Sequence, residues 1–142
     1  MNDTERSILD ELGEAPFLCS LATVTADGRP WVRFVRATID EHLVLRVPTF
    51  AETKKVREIE AHPEVHITCG NTDPTRPGSY FQIEGRAAVR RDAESRRLAW
   101  TDHLARWFVD ADDPSYAVVV VWPHRITRVP IGRNGRAEVW SR

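Results

Sequence analysis

The 142 residues predict a mainly β fold, a mostly antiparallel barrel with helices as covers and connections. Two observations carry that expectation. Strand-like apolar patterns outnumber helical ones, and short turn signals join the early strands, as hairpin-linked antiparallel sheets require. No internal repeat or low-complexity tract interrupts the pattern, so one domain, residues 1–142, is expected.

In chain order, Asp3 or Thr4 is placed to cap a short helix with Ile8, Leu9 and Leu12 on its apolar face. Gly13 is placed to end it, and the helix is expected to lie as a lid across one end of a sheet. A strand follows from Phe17 to Thr25, where Leu18, Ala22 and Val24 alternate with Cys19, Leu21 and Thr23. Few of these are polar, so burial of both faces is expected. Asp27-Gly28 is a hairpin signal, because glycine tolerates the positive φ such turns need. The next strand, from Pro30 to Ile39, sets Trp31, Arg33, Val35 and Ala37 on one face and Val32, Phe34, Arg36 and Thr38 on the other.

A turn at Asp40-Glu41 leads to a third strand, Leu43 to Val47, which Pro48-Thr49 is expected to break. Thr49-Phe50-Ala51-Glu52 fits a capping box, with Thr53 as the rival cap, and a short helix runs to His62-Pro63. Val65 to Cys69 alternates as a fourth strand, followed by a turn-rich loop from Gly70 to Gly78. Ser79 to Arg90 forms a long fifth strand that Gly85 interrupts as a bulge or a point of close backbone approach. Asp92 caps a helix carrying Trp100, Leu104, Trp107 and Phe108 at i, i+4, i+7 and i+8, a stripe expected in a core or interface. The unbroken run from Tyr116 to Trp122 predicts a strand buried on both faces, inside a barrel or against a partner subunit. It is continued to Val129 with Pro123 as a bend. Asn134-Gly135 and Ala137 to Trp140 suggest a terminal hairpin.

Twenty basic and 21 acidic residues leave a net charge of −1, which points away from nucleic acid and anionic membranes. No apolar run is long enough to span a bilayer and no secretory signal is visible, so a cytoplasmic chain is expected. Cys19 and Cys69 sit in apolar strand patterns and read as buried reduced thiols. The five histidines are scattered without metal-ligand spacing, and no metal is expected.

The chemistry concentrates at one strand-to-helix junction. Thr49, Thr53, Lys54 and Lys55 gather where free backbone N–H groups and the positive end of a helix dipole favour an anion. Lysines in a first helical turn oppose that dipole unless an anion offsets them. Arg33 can approach from the neighbouring strand. These residue types predict a seat for a phosphate-bearing cofactor.

Several blocks occur together: Phe17-Leu18-Cys19-Ser20-Leu21-Ala22-Thr23, Asp27-Gly28-Arg29-Pro30, Arg33-Phe34-Val35, and Thr49. They continue with Thr53-Lys54-Lys55-Val56-Arg57-Glu58-Ile59, His62-Pro63-Glu64-Val65 and Glu84-Gly85-Arg86-Ala87. In order and spacing this resembles the pyridoxamine 5'-phosphate oxidase-like family of FMN-binding split barrels, in the style of its general stress protein 26-like branch. The resemblance covers roughly residues 5 to 130. It implies a six-stranded antiparallel Greek-key split β-barrel and a homodimer with FMN sites at the subunit interface.

By the same resemblance, Arg33, Lys55 and the hydroxyls of Thr49 and Thr53 would hold the FMN phosphate, with Lys54 and Pro48 nearby. Phe34, Val35 and Arg36 would line the ribityl chain and flavin edge. Tyr80 or Gln82 would reach the flavin from the partner subunit. The implied function is a flavin-dependent oxidoreductase of unknown small-molecule substrate, stress-related, with no side chain singled out as catalytic. The tail, Ala137 to Arg142, lacks the arginine-bearing pattern with which pyridoxamine 5'-phosphate oxidases grip their substrate, so vitamin B6 oxidation is not expected. Two alternatives stay open: a flavin-binding or stress-response module without turnover, and a barrel that takes the deazaflavin F420, or haem, in place of FMN.

Overall fold

The computed structural model describes residues 1–70, 73–132 and 134–142, and the loop expected at Asn71 and Thr72 lies outside the described residues. Helix α1 (Asp3–Leu12) precedes strands β1 (Phe17–Val24), β2 (Pro30–Ile39) and β3 (Leu45–Phe50), then helix α2 (Lys54–Ala61). Strands β4 (Glu64–Gly70) and β5 (Tyr80–Arg90) follow. Helix α3 (Ala93–Ala99), a 3-10 turn (Asp102–Arg106), and strands β6 (Tyr116–Val129) and β7 (Glu138–Ser141) complete the chain. The sheet runs β3-β2-β1-β4-β5-β6-β7, and pairing of β3 with β6 closes the first six strands into an antiparallel barrel. Its β7 edge is an extra strand on β6.

The hairpins form where the turn chemistry asks for them. Gly28 takes φ 83 between β1 and β2, which then pair without interruption from Phe17↔Ala37 to Val24↔Pro30. The register shifts between Glu84, opposite Arg125, and Gly85, opposite Pro123, so the extra residue is His124 of β6, next to a proline that could not have donated to the ladder. Alternate residues of each strand fill the barrel, among them Leu21, Leu45, Ile67, Phe81 and Val119, each fully buried. Cys19 and Cys69 face each other across β1 and β4; both are free thiols, and burial pushes each up to about 12.

Six local expectations need correction. The cap of α1 is Asn2, whose Oδ1 accepts from the Glu5 N–H at 2.8 Å while Glu5 Oε2 accepts from the Asn2 N–H at 3.1 Å; the reciprocal box outweighs a lone Asp3 or Thr4. Leu43 belongs to the turn, not to the third strand. Its φ of 63 is held by its N–H to Asp40 O and by the Asp40 carboxylate, which accepts from the His42 and Val44 N–H groups, while the buried Leu43 side chain anchors the turn in the core.

Pro48 does not break the third strand. β2 pairs with β3 only at Thr38↔Arg46 and Ile39↔Leu45, so beyond Arg46 that flank of β3 is open and a missing N–H there costs no ladder bond. The strand continues against β6 through Thr49↔Ala117 to Phe50↔Tyr116. Thr49 is therefore a strand residue, no Thr49–Glu52 box exists, and Thr53 occupies the cap position of α2 without a side-chain cap bond.

The expected single aromatic-striped helix is two pieces. Trp100 and Phe108 both pack on the Tyr116 ring, at 5.6 and 4.9 Å. Eight residues of continuous helix would hold them roughly 12 Å apart along the axis, so the chain breaks at Trp100. This unit also resolves the apolar run of β6. Val119 and Val121 face the barrel, while Tyr116, Val118 and Val120 form a second core with Leu104 and Phe108. The chain's own 3-10 turn covers that face, and no partner subunit is needed there. The outer face of β1, by contrast, is not buried in the single chain: Leu18 is exposed.

No helix among the described residues is long and apolar enough to cross a membrane. A Cβ on Gly85 would lie 2.9 Å from Val121 Cγ1 and 3.0 Å from Trp122 O. Gly85→Ala is therefore expected to destabilise the barrel by about 1–3 kcal/mol, seen as a lower urea midpoint at unchanged slope. An unchanged midpoint would contradict the close approach.

Candidate functional site

The open flank between β2 and β3 is where a cleft forms. It has a volume of about 280 Å³ and is floored by Arg33, Val35 and Thr49, with Lys55 entering from the start of α2. Phe34, Arg36 and Pro48 also line it. Opposite them stand Thr101, His103, Leu104, Trp107 and Phe108 from the segment after α3. Seven of the eleven sequence-derived site residues thus meet in one concavity.

The remaining four lie elsewhere. Lys54 turns away and places Nζ 3.4 Å from the centroid of the Trp31 ring, a cation–π contact in a different recess. The Thr53 hydroxyl donates to Phe50 O at 3.3 Å on the outer side of the junction. Tyr80 and Gln82 lie on β5, opposite Gly70 and Thr68, and Tyr80 lines a recess with Leu18, Ser20 and Phe34 on the outward face of the sheet. Glu52 also stays outside the cleft, beside Thr53.

Arg33 owes its position to the β1–β2 register. It lies opposite Leu21 and so points to the barrel side, where most neighbours are aliphatic. A half-buried guanidinium needs partners, and four are in reach. Nη2 donates to Glu58 Oε1 at 2.9 Å, and Nη1 donates to Thr23 Oγ1 at 2.6 Å, to Leu21 O at 3.2 Å and to Trp31 O at 3.4 Å. The Thr23 hydroxyl in turn donates to Glu58 Oε1 at 2.9 Å. Glu58 is only 7% exposed, a carboxylate held on the inner face of α2 beside Val56 and Ile59.

Lys55, one turn before Glu58, donates from Nζ to Thr49 Oγ1 at 2.7 Å. Its ammonium is depressed below the ordinary lysine value by burial and then by the nearby Arg33 charge. His103 is likewise lowered, by desolvation first and then by Arg36 and Arg106. The cleft therefore presents an ammonium short of counter-charge, a hydroxyl and a guanidinium edge at one end, and aromatic surface with one further cation, Arg36, at the other. That donor set suits an anion attached to a flat or apolar body. Among the described residues no cluster of three or more His, Cys, Asp or Glu could hold a metal ion.

Two features escaped sequence reasoning. The aromatic wall of the 3-10 turn was readable only as core or interface, and Trp107 is in fact half exposed to the cleft. Glu58 carried a signal that could have been used: it shares the buried face of α2 with Val56 and Ile59, and a carboxylate there implies an internal cation.

Comparison with known proteins agrees with this architecture. The family model described as "Pyridoxamine 5'-phosphate oxidase" matches residues 8–139. General stress protein 26 of Bacillus subtilis (strain 168) is 32% identical over 132 residues, covering 93% of this chain and 92% of that protein. The crystal structure of the General Stress Protein 26 from Bacillus anthracis str. Sterne superposes with a TM-score of 0.81 at 25% identity, covering 99% of both chains. A structure titled F420 Reductase, 27% identical, covers 83% of this chain and 94% of its own with a TM-score of 0.63.

The Lys55 shift has a sign that can be tested without any ligand. In the folded chain the ammonium gives up its proton before its unfolded counterpart does near 10.5. Between those values the unfolded state binds more protons at this site, so the Lys55 contribution to ligand-free stability rises with pH, opposed above about 9 by the buried Cys19 and Cys69 thiols, whose contribution falls. Lys55→Met should raise the melting temperature near neutral pH and flatten that rise. A lowered melting temperature with the pH slope retained would show that the ammonium is not under strain.

Proposed function

The chain belongs to the pyridoxamine 5'-phosphate oxidase family, and on that premise we propose that its β2–β3 cleft binds FMN, with the phosphate at Lys55, Thr49 and Arg33. The observation that carries this reading is the half-buried Lys55 ammonium, depressed by burial and by Arg33, with a hydroxyl as its one hydrogen-bond partner among the described residues. A phosphate dianion would complete it. Phe34, Val35 and Arg36 would lie along the ribityl chain and ring edge, and Trp107 and Phe108 would exclude water from the far wall. Bound FMN would supply hydride and electron transfer, which makes the protein a flavin-dependent oxidoreductase acting on a small molecule. The chain's own contribution is binding and orientation. His103, lowered by desolvation and neighbouring cations, is held toward its neutral imidazole form at the aromatic end.

Purified protein mixed with FMN should turn yellow and quench the flavin's fluorescence. Lys55→Ala should weaken FMN by about 1.5–3 kcal/mol, the range for a hydrogen bond to a charged group. Unaltered affinity would place the phosphate elsewhere. The likeness to an F420 reductase favours a second reading, F420 in the same cleft. A parallel titration decides between them by the tighter ligand.

The functional unit is a homodimer in this reading. Leu18, Val32 and Phe34 form an apolar patch on the outward face of β1 and β2, with Val32 64% and Phe34 74% exposed. Tyr80 and Gln82 share that face, so a second copy seated on it would bring polar groups toward the flavin edge. The cleft of one chain, about 280 Å³, is at the small end for a site of this kind and would be extended by the second copy. Sedimentation should report twice the 16.2 kDa chain mass, and Val32→Glu should shift it to the monomer. A wild-type monomer would remove the second copy from the site.

A further inference from the structure

We propose that Glu58 sets the charge of the phosphate seat: by balancing Arg33 from inside the barrel it leaves Lys55 as the unbalanced cation at that end of the cleft. The inference rests on the reading of the cleft as a phosphate site and deepens it with a specificity-determining residue.

The geometry separates two jobs that two cations would otherwise share. Glu58 Oε1 accepts from both Arg33 Nη2 and the Thr23 hydroxyl at 2.9 Å, and Thr23 Oγ1 accepts from Arg33 Nη1 at 2.6 Å. These three groups close a small ring, further pinned by Leu21 O. The ring is enclosed, with side-chain exposures of 19% for Arg33 and 7% for Glu58, so the opposite charges act on each other with little screening. Of the five guanidinium N–H donors, Nε–H and one Nη2 hydrogen have no partner among the described residues. Arg33 therefore enters the cleft as an aimed pair of donors whose charge Glu58 partly offsets, the remainder still lowering Lys55. Among the described residues Lys55 has only the Thr49 hydroxyl as partner, a neutral one.

An anion at this end thus meets one net positive charge and several directed hydrogen bonds. Two free cations would bind phosphate more tightly but would repel each other in the empty protein. Glu58 moves the balance toward a stable ligand-free chain and a weaker hold on phosphate. Arg36 belongs to the other end of the cleft, close enough to His103 to depress it.

The test compares FMN with riboflavin, which share ring and ribityl chain and differ by the phosphate. Flavin-stripped protein is titrated with each by fluorescence quenching, and the ratio of the two dissociation constants reads the seat alone. Glu58→Gln keeps an oxygen for Arg33 and Thr23 and removes the charge. It should raise the preference for FMN roughly tenfold, the order expected for one partly buried unit charge several ångströms from a dianion, and lower the melting temperature of the ligand-free protein. A residue with a purely structural role would lower both, and an unchanged or diminished preference overturns the proposal. Should Glu58→Gln fail to fold, Lys55→Met answers the same question. With Arg33 already paired to Glu58, that variant should lose most of the preference, and retention of more than half of it, on a logarithmic scale, overturns the proposal. Wild-type protein that binds both flavins equally would refute the phosphate seat itself. A wild-type preference insensitive to Glu58→Gln would refute only the role of Glu58.

Discussion

Pairing of β3 with β6 along its whole length, while β2 holds β3 only at its first two residues, is the constraint from which the rest of the molecule follows. Closure through β6 removes the sheet edge that would otherwise be exposed. Incomplete pairing with β2 leaves one flank of β3 without a ladder, and that flank is the mouth of the cleft. Pro48 is tolerated there because no N–H is required. Thr49 is carried past the point where a local reading would stop the strand, and so arrives beside Lys55. A fully zipped β2–β3 pair would be a sturdier barrel without a site.

The internal guanidinium is the second consequence. With β1 and β2 in register, Arg33 has to face the barrel, and an unpaired cation there would be untenable. Thr23 and Glu58 meet that need from a neighbouring strand and from α2, which ties the helix that carries Lys55 to the hairpin that carries Arg33. A single ion pair thereby fixes the separation of the two cations most concerned with an anion. It also explains why α2 can begin with Lys54 and Lys55 and no side-chain cap: the helix is held by its buried face and by Glu58, not by favourable chemistry at its first turn.

Legibility in the sequence followed the range of the interaction. Asp27-Gly28 and Gly85 act through their own backbones, and the hairpin and the close approach stand where those residues put them. Antiparallel strands, covering helices and a convergence of Arg33, Thr49 and Lys55 could be read from local pattern and from family resemblance. What could not be read depended on neighbours distant in the chain. Pro48 looks like a stop until β2 is known to have departed. Thr49 looks like a cap until Ala117 is known to pair with it. The stripe from Trp100 to Phe108 looks like one helix until both aromatics are found on the single ring of Tyr116. Lys54 and Lys55 are indistinguishable as neighbours in a helix start, yet successive helical positions point some 100° apart, and only one of them can face the cleft.

The two ends of the cleft differ in kind, and that difference bears on what the family scaffold does here. At the Lys55 end every polar group is held by another: Thr49 by Lys55, Arg33 by Glu58, Glu58 by Thr23. Such an end is preorganised and would recognise one chemical group with little rearrangement. At the other end His103 stacks edge-on against the half-exposed Trp107, and Phe34 projects into solvent from β2. Those side chains are not locked by hydrogen bonds, and they border the apolar patch of β1 and β2. A preorganised cationic end beside an adaptable aromatic mouth is the division expected of a cleft that holds one anionic group and tolerates variation in what that group is attached to. The Lys55 end is therefore where relatives should agree with this chain in residue type, and the segment after α3 is where their chemistry should diverge.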